Sequence, residues 1–177
     1  MENIVVGIDV GTTKIAVFIG QRDEEGKISI IGMGKTTSSG VERGVVKNIE
    51  LTATAIKQAV EQAEAMANYQ VKEVYVGIAG HNIKSQPQRG NIMIPEDDHI
   101  ITIQDVEKLK KDQNNIALPP GEQIIHVIAQ SYSIDGDAST INPVGRVGKC
   151  LAGDFNLITG NVANIQNVYH SVRLAGY

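Results

Sequence analysis

Asp9, Gly11, Thr12, Thr13 and Lys14 stand within one short string, Ile8-Asp9-Val10-Gly11-Thr12-Thr13-Lys14-Ile15. Gly11 permits backbone geometry that other residues resist, so the amides of Gly11 to Lys14 can converge on an anion. The two threonines add hydroxyl donors and Lys14 adds positive charge. Asp9 supplies a carboxylate for a hydrated Mg²⁺ beside those phosphates. Together these residues are the minimum set for holding a nucleoside triphosphate. A tight hairpin with a satisfied strand-end aspartate would explain a lone Asp-x-Gly equally well; the whole string, set between two apolar segments, favours phosphate. It is not a P-loop, because no Gly-Lys-Ser/Thr follows at the right spacing and a strand follows instead of a helix.

The elements that must position these residues begin with two apolar strands, Ile4 to Val10 and Lys14 to Gly20. Their near-continuous apolar runs predict strands covered on both faces, and a buried Asp9 would need a cationic or hydrogen-bonding partner. A charged turn, Asp23 to Gly26, leads to a third strand, Lys27 to Gly34. Thr36 to Gly40 reads as loop, and Val41 to Val46 as a short glycine-punctuated segment. Ile49, Ala53, Ile56, Val60, Ala63 and Ala67 make one helical stripe, with Asn48 as N-cap and Glu50 in the first turn. Glu61 and Glu64 lie off the stripe, where a solvated face accounts for both. Glu73 to Ala79 reads as a fourth strand, parallel to the first.

That order, β-β-β-α-β, is the opening of a ribonuclease-H-like α/β half-domain, whose second helix comes only at Val162 to Ala175 (Ile165, Val168, Tyr169, Val172). About eighty residues intervene, too many for a loop. They carry their own pattern: an irregular or edge strand Ile83 to Ile94 containing Pro87, a capping box Thr102 to Asp105 opening a helix with Val106 and Leu109 inward, and strands Gln123 to Ile134 and Phe155 to Gly160. The expected fold is therefore a half-domain at residues 1–80 plus 161–177, with a small inserted α+β subdomain, strand-helix-strand-strand, at 81–160. Within the insert His126 has no second ligand at metal spacing and reads as an edge or packed histidine, and Asn142 to Gly148 as a connecting loop. Gly176 suits the position just past the last helix. No fifth strand follows, so the chain is expected to be a fragment of a longer protein.

With 177 residues the chain can bury one core plus a small module. A net charge of −4 argues against a broad basic footprint, and no nucleic-acid partner is expected. Cys150 is the only cysteine, which excludes an intramolecular disulfide and a cysteine-cluster metal site. The Ile4 to Ile8 run is too short for a signal core, and no apolar run nears the roughly 20 residues that span a bilayer. A soluble cytoplasmic protein is expected.

The Asp9 to Lys14 string resembles the first phosphate loop of the actin, heat-shock-protein-70 and sugar-kinase superfamily. Ser39-Gly40-Val41-Glu42-Arg43-Gly44-Val45-Val46, Val76-Gly77-Ile78-Ala79-Gly80, Ile125-His126-Val127-Ile128, Ile134-Asp135-Gly136, Asn142-Pro143-Val144-Gly145 and Ile158-Thr159-Gly160 narrow this further. With them, nearly the whole chain resembles the FtsA family of bacterial actin-like cell-division proteins. The resemblance implies subdomain 1A at 1–80 plus 161–177 and subdomain 1C, an SHS2-type insert, at 81–160. It implies ATP as cofactor, with Gly11, Thr12, Thr13 and Lys14 on its phosphates, and Mg²⁺ facing Asp9 through water. The resemblance also implies at most slow ATPase activity in the full-length protein, with an inactive fragment expected. Self-association into filaments, recruitment of FtsZ and other divisome proteins, and membrane tethering through a C-terminal helix absent from this chain are also implied, placing the full-length protein on the cytoplasmic face of the membrane at the division site. The alternatives weighed are an actin-like ATPase of pilus assembly, a sugar-kinase-like phosphotransferase, and a two-metal nuclease. The nuclease would need acids beyond Asp9, and the fourth strand ends Ile78-Ala79-Gly80 with none.

Overall fold

A computed structural model describes residues 4–80, 83–95 and 99–177. The chain divides into two compact units, one of Met1–Asn82 with Val162–Tyr177 and one of Ile83–Asn161. The expected crossing at His81 falls outside the described residues.

The first unit runs β1 (Ile4–Val10), β2 (Lys14–Arg22), β3 (Ile28–Thr37), β4 (Val41–Glu42), β5 (Val45–Val46), α1 (Ile49–Ala67) and β6 (Tyr75–Gly77), and is completed by a helix at Val162–Ala175. The main sheet has the order β3-β2-β1-β6, with β1 antiparallel to β2 and parallel to β6. Val6, Ile8 and Val10 alternate inward on β1, as do Ile15, Val17 and Ile19 on β2, against Ala53, Ile56, Ala59, Val60 and Ala63 of α1. Full burial of a side chain such as Ile56 contributes about 1.5–3 kcal/mol. The alanine face and the glycines of β3 bring helix and strand backbones together. A Cβ on Gly34 would lie 1.8 Å from the Ala59 carbonyl oxygen, so no other residue fits there.

Local signals hold at the start of α1, where Asn48 Oδ1 accepts the Leu51 amide at 2.9 Å. At its end Asn68 takes a left-handed conformation, and Glu64 Oε1 accepts the Val71 amide at 2.7 Å. Glu64 is thus not simply a solvated residue: it anchors the turn after the helix. Three other expectations change. The sheet is packed by helices on one face only, because the second face carries Gly7, Asp9, Phe18, Met33 and Tyr75 outward. The fourth strand shrinks to Tyr75–Gly77, being an edge strand paired on one side alone. Thr36 and Thr37 belong to β3 rather than to a loop, held in register by Ile15 and Lys14.

The second unit runs β7 (Lys84–Met93), α2 (Ile103–Asp112), a short 3₁₀ turn at Gln113–Asn115, β8 (Glu122–Ile134) and β9 (Cys150–Asn161). Its antiparallel sheet has the order β7-β9-β8, so Pro87 sits on an edge strand, where its missing N–H costs no ladder bond. The other edge, β8, carries register shifts at Ile124/His126 and Ala129/Ser131. Leu151, Phe155 and Leu157 of β9 pack with Leu109 and Ile101, and Tyr132 meets Phe155 edge-to-face at 6.2 Å. The capping box is present: Thr102 Oγ1 accepts the Asp105 amide at 3.3 Å, and Asp105 Oδ2 accepts the Thr102 amide at 2.8 Å. β9 begins at Cys150, five residues before the expected Phe155, because Leu151 and Gly153 already face inward in the same alternation as Phe155. The helix α3 (Val162–Ala175) then returns the chain to the first unit, where Val168 and Val172 are buried but Tyr169 is exposed. Gly176, at φ 103°, ends it, and the Tyr177 amide donates to the Val172 carbonyl at 3.2 Å.

Candidate functional site

Gly11 to Lys14 form the turn between β1 and β2, immediately beyond the last registered pair, Val10 with Ile15. The Gly11 amide donates to the Lys14 carbonyl at 3.1 Å and closes the turn. The Gly11 amide is therefore not free to act as a donor to a ligand. The amides of Thr12 and Thr13 have no acceptor among the described residues, and both residues are exposed, as is Lys14. Two open amides, two hydroxyls and an ammonium at one strand end suit an anion.

The loop is braced from two sides. The Ser38 amide donates to the Thr13 carbonyl at 3.1 Å, and the Gly44 amide donates to Thr12 Oγ1 at 2.9 Å. Gly44 belongs to the β4–β5 hairpin, whose turn residues Arg43 and Gly44 both have positive φ, 50° and 76°. Two left-handed residues in succession make the tight hairpin turn that matches strand twist. That hairpin is fixed in turn by the Lys47 amide donating to the Gly40 carbonyl at 2.8 Å, and by Asn167 Nδ2 of α3 donating to the Val46 carbonyl at 3.3 Å.

Asp9 is exposed rather than buried, which corrects the sequence expectation: β1 turns it to the open face of the sheet, where water solvates it. Register sets it in one row with Ala16 and Lys35 on one side and Gly77 on the other. No described residue bonds to its carboxylate, which leaves its oxygens available to the waters of a cation. Lys35 was not singled out from sequence, because only the β2–β3 register places it near Asp9. With Thr13, Lys14, Thr36 and Thr37 it lines an open depression of about 340 Å³. An apolar groove of about 370 Å³ between β6 and α3 is lined by Val74, Val76, Ile165 and Val172 among others and includes none of the loop residues. At its rim Tyr177 has its hydroxyl pKa raised, first by burial and then by Glu64 and Glu61.

The second unit gathers polar groups but ties them to one another. Arg89 reaches Asp154 at 3.2 Å and Ser133 Oγ at 3.1 Å, and Ser131 Oγ donates to Asp154 at 3.2 Å. His126 is exposed on the edge strand β8. Among the described residues no three His, Cys, Asp or Glu side chains gather where they could hold a metal. No helix among the described residues is long and apolar enough to cross a membrane.

Comparison with known proteins adds to this geometry. Residues 80–159 match the family described as the SHS2 domain inserted in FtsA. The chain is 32% identical over 173 residues to the cell division protein FtsA of Pseudomonas aeruginosa, covering 98% of this chain and 41% of that protein. It is 32% identical over 175 residues to FtsA of Escherichia coli, covering 99% and 41%, and 31% identical over 176 residues to FtsA of Borreliella burgdorferi, covering 99% and 43%. The chain thus spans about two-fifths of the length of the curated relatives it matches. Among solved structures, a chain of the PilM-PilN type IV pilus biogenesis complex superposes with a TM-score of 0.64 at 12% identity, covering 97% of this chain and 44% of that one. At that identity the likeness concerns the mixed α/β fold alone.

Proposed function

The chain belongs to the FtsA family of bacterial cell-division proteins, and from that premise we propose that its first unit holds the phosphates of Mg-ATP as one half of a nucleotide site. The observation that carries this is the loop itself: the Thr12 and Thr13 amides lie open beside their hydroxyls and Lys14, with Asp9 unpaired one turn away. Thr12, Thr13 and Lys14 would hold phosphate oxygens, Gly11 would let them approach the backbone, and Asp9 would hold waters of a Mg²⁺ ion. The metal would neutralise phosphate charge when bound; the chain's own part is to bind and orient.

In the complete protein this half-site belongs to subdomain 1A, and residues 81–160 to subdomain 1C inserted into it. The second unit's role is protein contact, since its Arg89, Asp154, Ser131 and Ser133 side chains are tied to one another. Its match to the family insert and the identity to whole FtsA proteins support a divisome function: nucleotide-dependent self-association, FtsZ recruitment and membrane attachment through parts outside this chain. A pilus-assembly role has support in fold alone.

A pocket that buries most of its ligand needs walls on both sides. The loop offers one, so calorimetric titration of the 177-residue chain with Mg-ATP should give a dissociation constant on the order of millimolar, about 4 kcal/mol. Asp9→Ala should abolish the Mg²⁺ dependence of that binding while leaving phosphate contacts. Binding with no Mg²⁺ dependence in the native chain would overturn the role of Asp9, and no binding at any concentration would overturn the site.

A further inference from the structure

Thr12 and Thr13 are chemically alike and adjacent, yet they are wired differently. The Thr13 hydroxyl makes no bond to a described residue, so it can only end a contact. Thr12 Oγ1 already accepts the Gly44 amide at 2.9 Å. A hydroxyl has one hydrogen to donate and two lone pairs, so Thr12 can hold Gly44 and still donate outward to an anion. Gly44 continues the connection. A Cβ there would lie 3.0 Å from Gly80 Cα and 3.1 Å from the Ala79 carbonyl oxygen, so the Arg43–Gly44 turn is seated against that segment. Gly80 itself has a φ of 127° and is the last described residue before the chain enters the second unit. Loop, turn and segment thus meet end to end, with left-handed backbone at three of the residues involved.

We propose that Thr12 is a positioning residue that reports phosphate occupancy to the Arg43–Gly44 turn and, through it, to Ala79–Gly80. A hydroxyl that donates to a charged phosphate oxygen becomes a stronger acceptor, so phosphate binding strengthens the bond from the Gly44 amide. The turn tightens, and with it the packing on Ala79–Gly80. Linkage makes the effect reciprocal: whatever orders the turn raises phosphate affinity by the same factor. The relay rests on the reading of Gly11 to Lys14 as a phosphate site and adds to it a route out of that site. Thr13, whose hydroxyl has no second partner, is a terminal ligand.

Amide exchange followed by NMR on the 177-residue chain, with Mg-ATP titrated to saturation, separates the two claims. The Thr13 amide reports binding and the Gly44 amide reports the relay. The expected result is a shift of the Thr13 resonance together with Gly44 exchange slowed roughly two- to tenfold. Thr12→Ser, which keeps the hydroxyl, should retain the slowing. Thr12→Val, which keeps the shape and removes it, should lose the slowing while Thr13 still shifts at higher ligand concentration. A Thr13 shift with unchanged Gly44 exchange in the native chain overturns the relay alone. An unmoved Thr13 resonance overturns the phosphate site and the relay with it. Slowing that survives in Thr12→Val also overturns the relay, since the turn then tightens by another route. If the valine variant does not fold, the native chain and Thr12→Ser still decide the matter.

Discussion

In the first unit the open face of the sheet carries Met33, Phe18, Gly7 and Tyr75 in one registered row across all four strands, and the three side chains are 41–66% exposed. In the second unit the open face carries Arg89, Asp154, Ser131 and Ser133, joined into one polar network. Both sheets are packed by helix on the other face. An antiparallel sheet that keeps one face in water ordinarily shows the second composition. The difference teaches where chemistry can lie. The network of the second unit ties its four side chains to one another, whereas the side chains of Asp9 and Lys35, on the open face of the first, make no hydrogen bond to a described residue, only the Lys35 main-chain amide donating to Gln62 Oε1.

The largest effects should come from the two cores. Phe155→Ala, in the second unit, should destabilise that unit by about 3–5 kcal/mol, and Ile56→Ala should cost the first about 2–5 kcal/mol. Hydrogen exchange should show each loss confined to its own unit. Protection lost in both units from either change would mean the cores are not separate, and the comparison of two independent sheets would fail.

The alkaline response should separate the units next. Burial raises the Tyr132 pKa above the ordinary tyrosine value, and burial followed by Glu64 and Glu61 raises that of Tyr177. With the folded pKa above the unfolded one, stability is complete below about pH 10 and falls as pH rises through the folded value. Added salt should moderate the loss in the first unit, because it screens the two glutamates, and leave the second unit's loss unchanged. Tyr177→Phe and Tyr132→Phe should flatten the respective slopes in chemical-denaturation curves taken from pH 8 to about pH 11. A salt response from the second unit would contradict desolvation as its cause.

The open faces themselves should respond least in stability and most in surface character. Asp154→Asn should cost under about 1 kcal/mol, since the Arg89 pair is 62% and 45% exposed. Phe18→Ser should change stability by no more than about 0.5 kcal/mol but should reduce binding of a hydrophobic dye. Dye binding unaffected by Phe18→Ser would remove the contrast between the faces.

Much of this fold was legible because its signals are local. Asn48 caps α1, Thr102 and Asp105 box α2, and Pro87 marks an edge, each recognisable within four residues of sequence. What was not legible depends on partners distant in the chain. The apolar runs of β1 and β2 read as covered on both sides, and only the packing shows one side open. Lys35 reaches the neighbourhood of Asp9 through a register across three strands, and Glu64 finds its acceptor role at Val71 once the helix has turned. The turn at Gly11 to Lys14 was legible as residue types, but not the use of the Gly11 amide to close it or the bond from Gly44 to Thr12.

The first unit is discontinuous: α1 must wait for α3, which lies beyond the whole of the second unit. On a ribosome this sets an order of events. The second unit is contiguous and can close its core as soon as β9 has emerged, whereas Ile56 and its neighbours lack Val168 and Val172 until later. At about 5–20 residues per second, the first unit is held open for several seconds while the intervening chain is made. Pairing of β1 with β2 and β3 needs only short-range closure and can proceed in that interval, but docking of α3 carries the long-range closure entropy. A nascent-chain folding measurement would therefore see the middle of the polypeptide become protease-resistant before its beginning does.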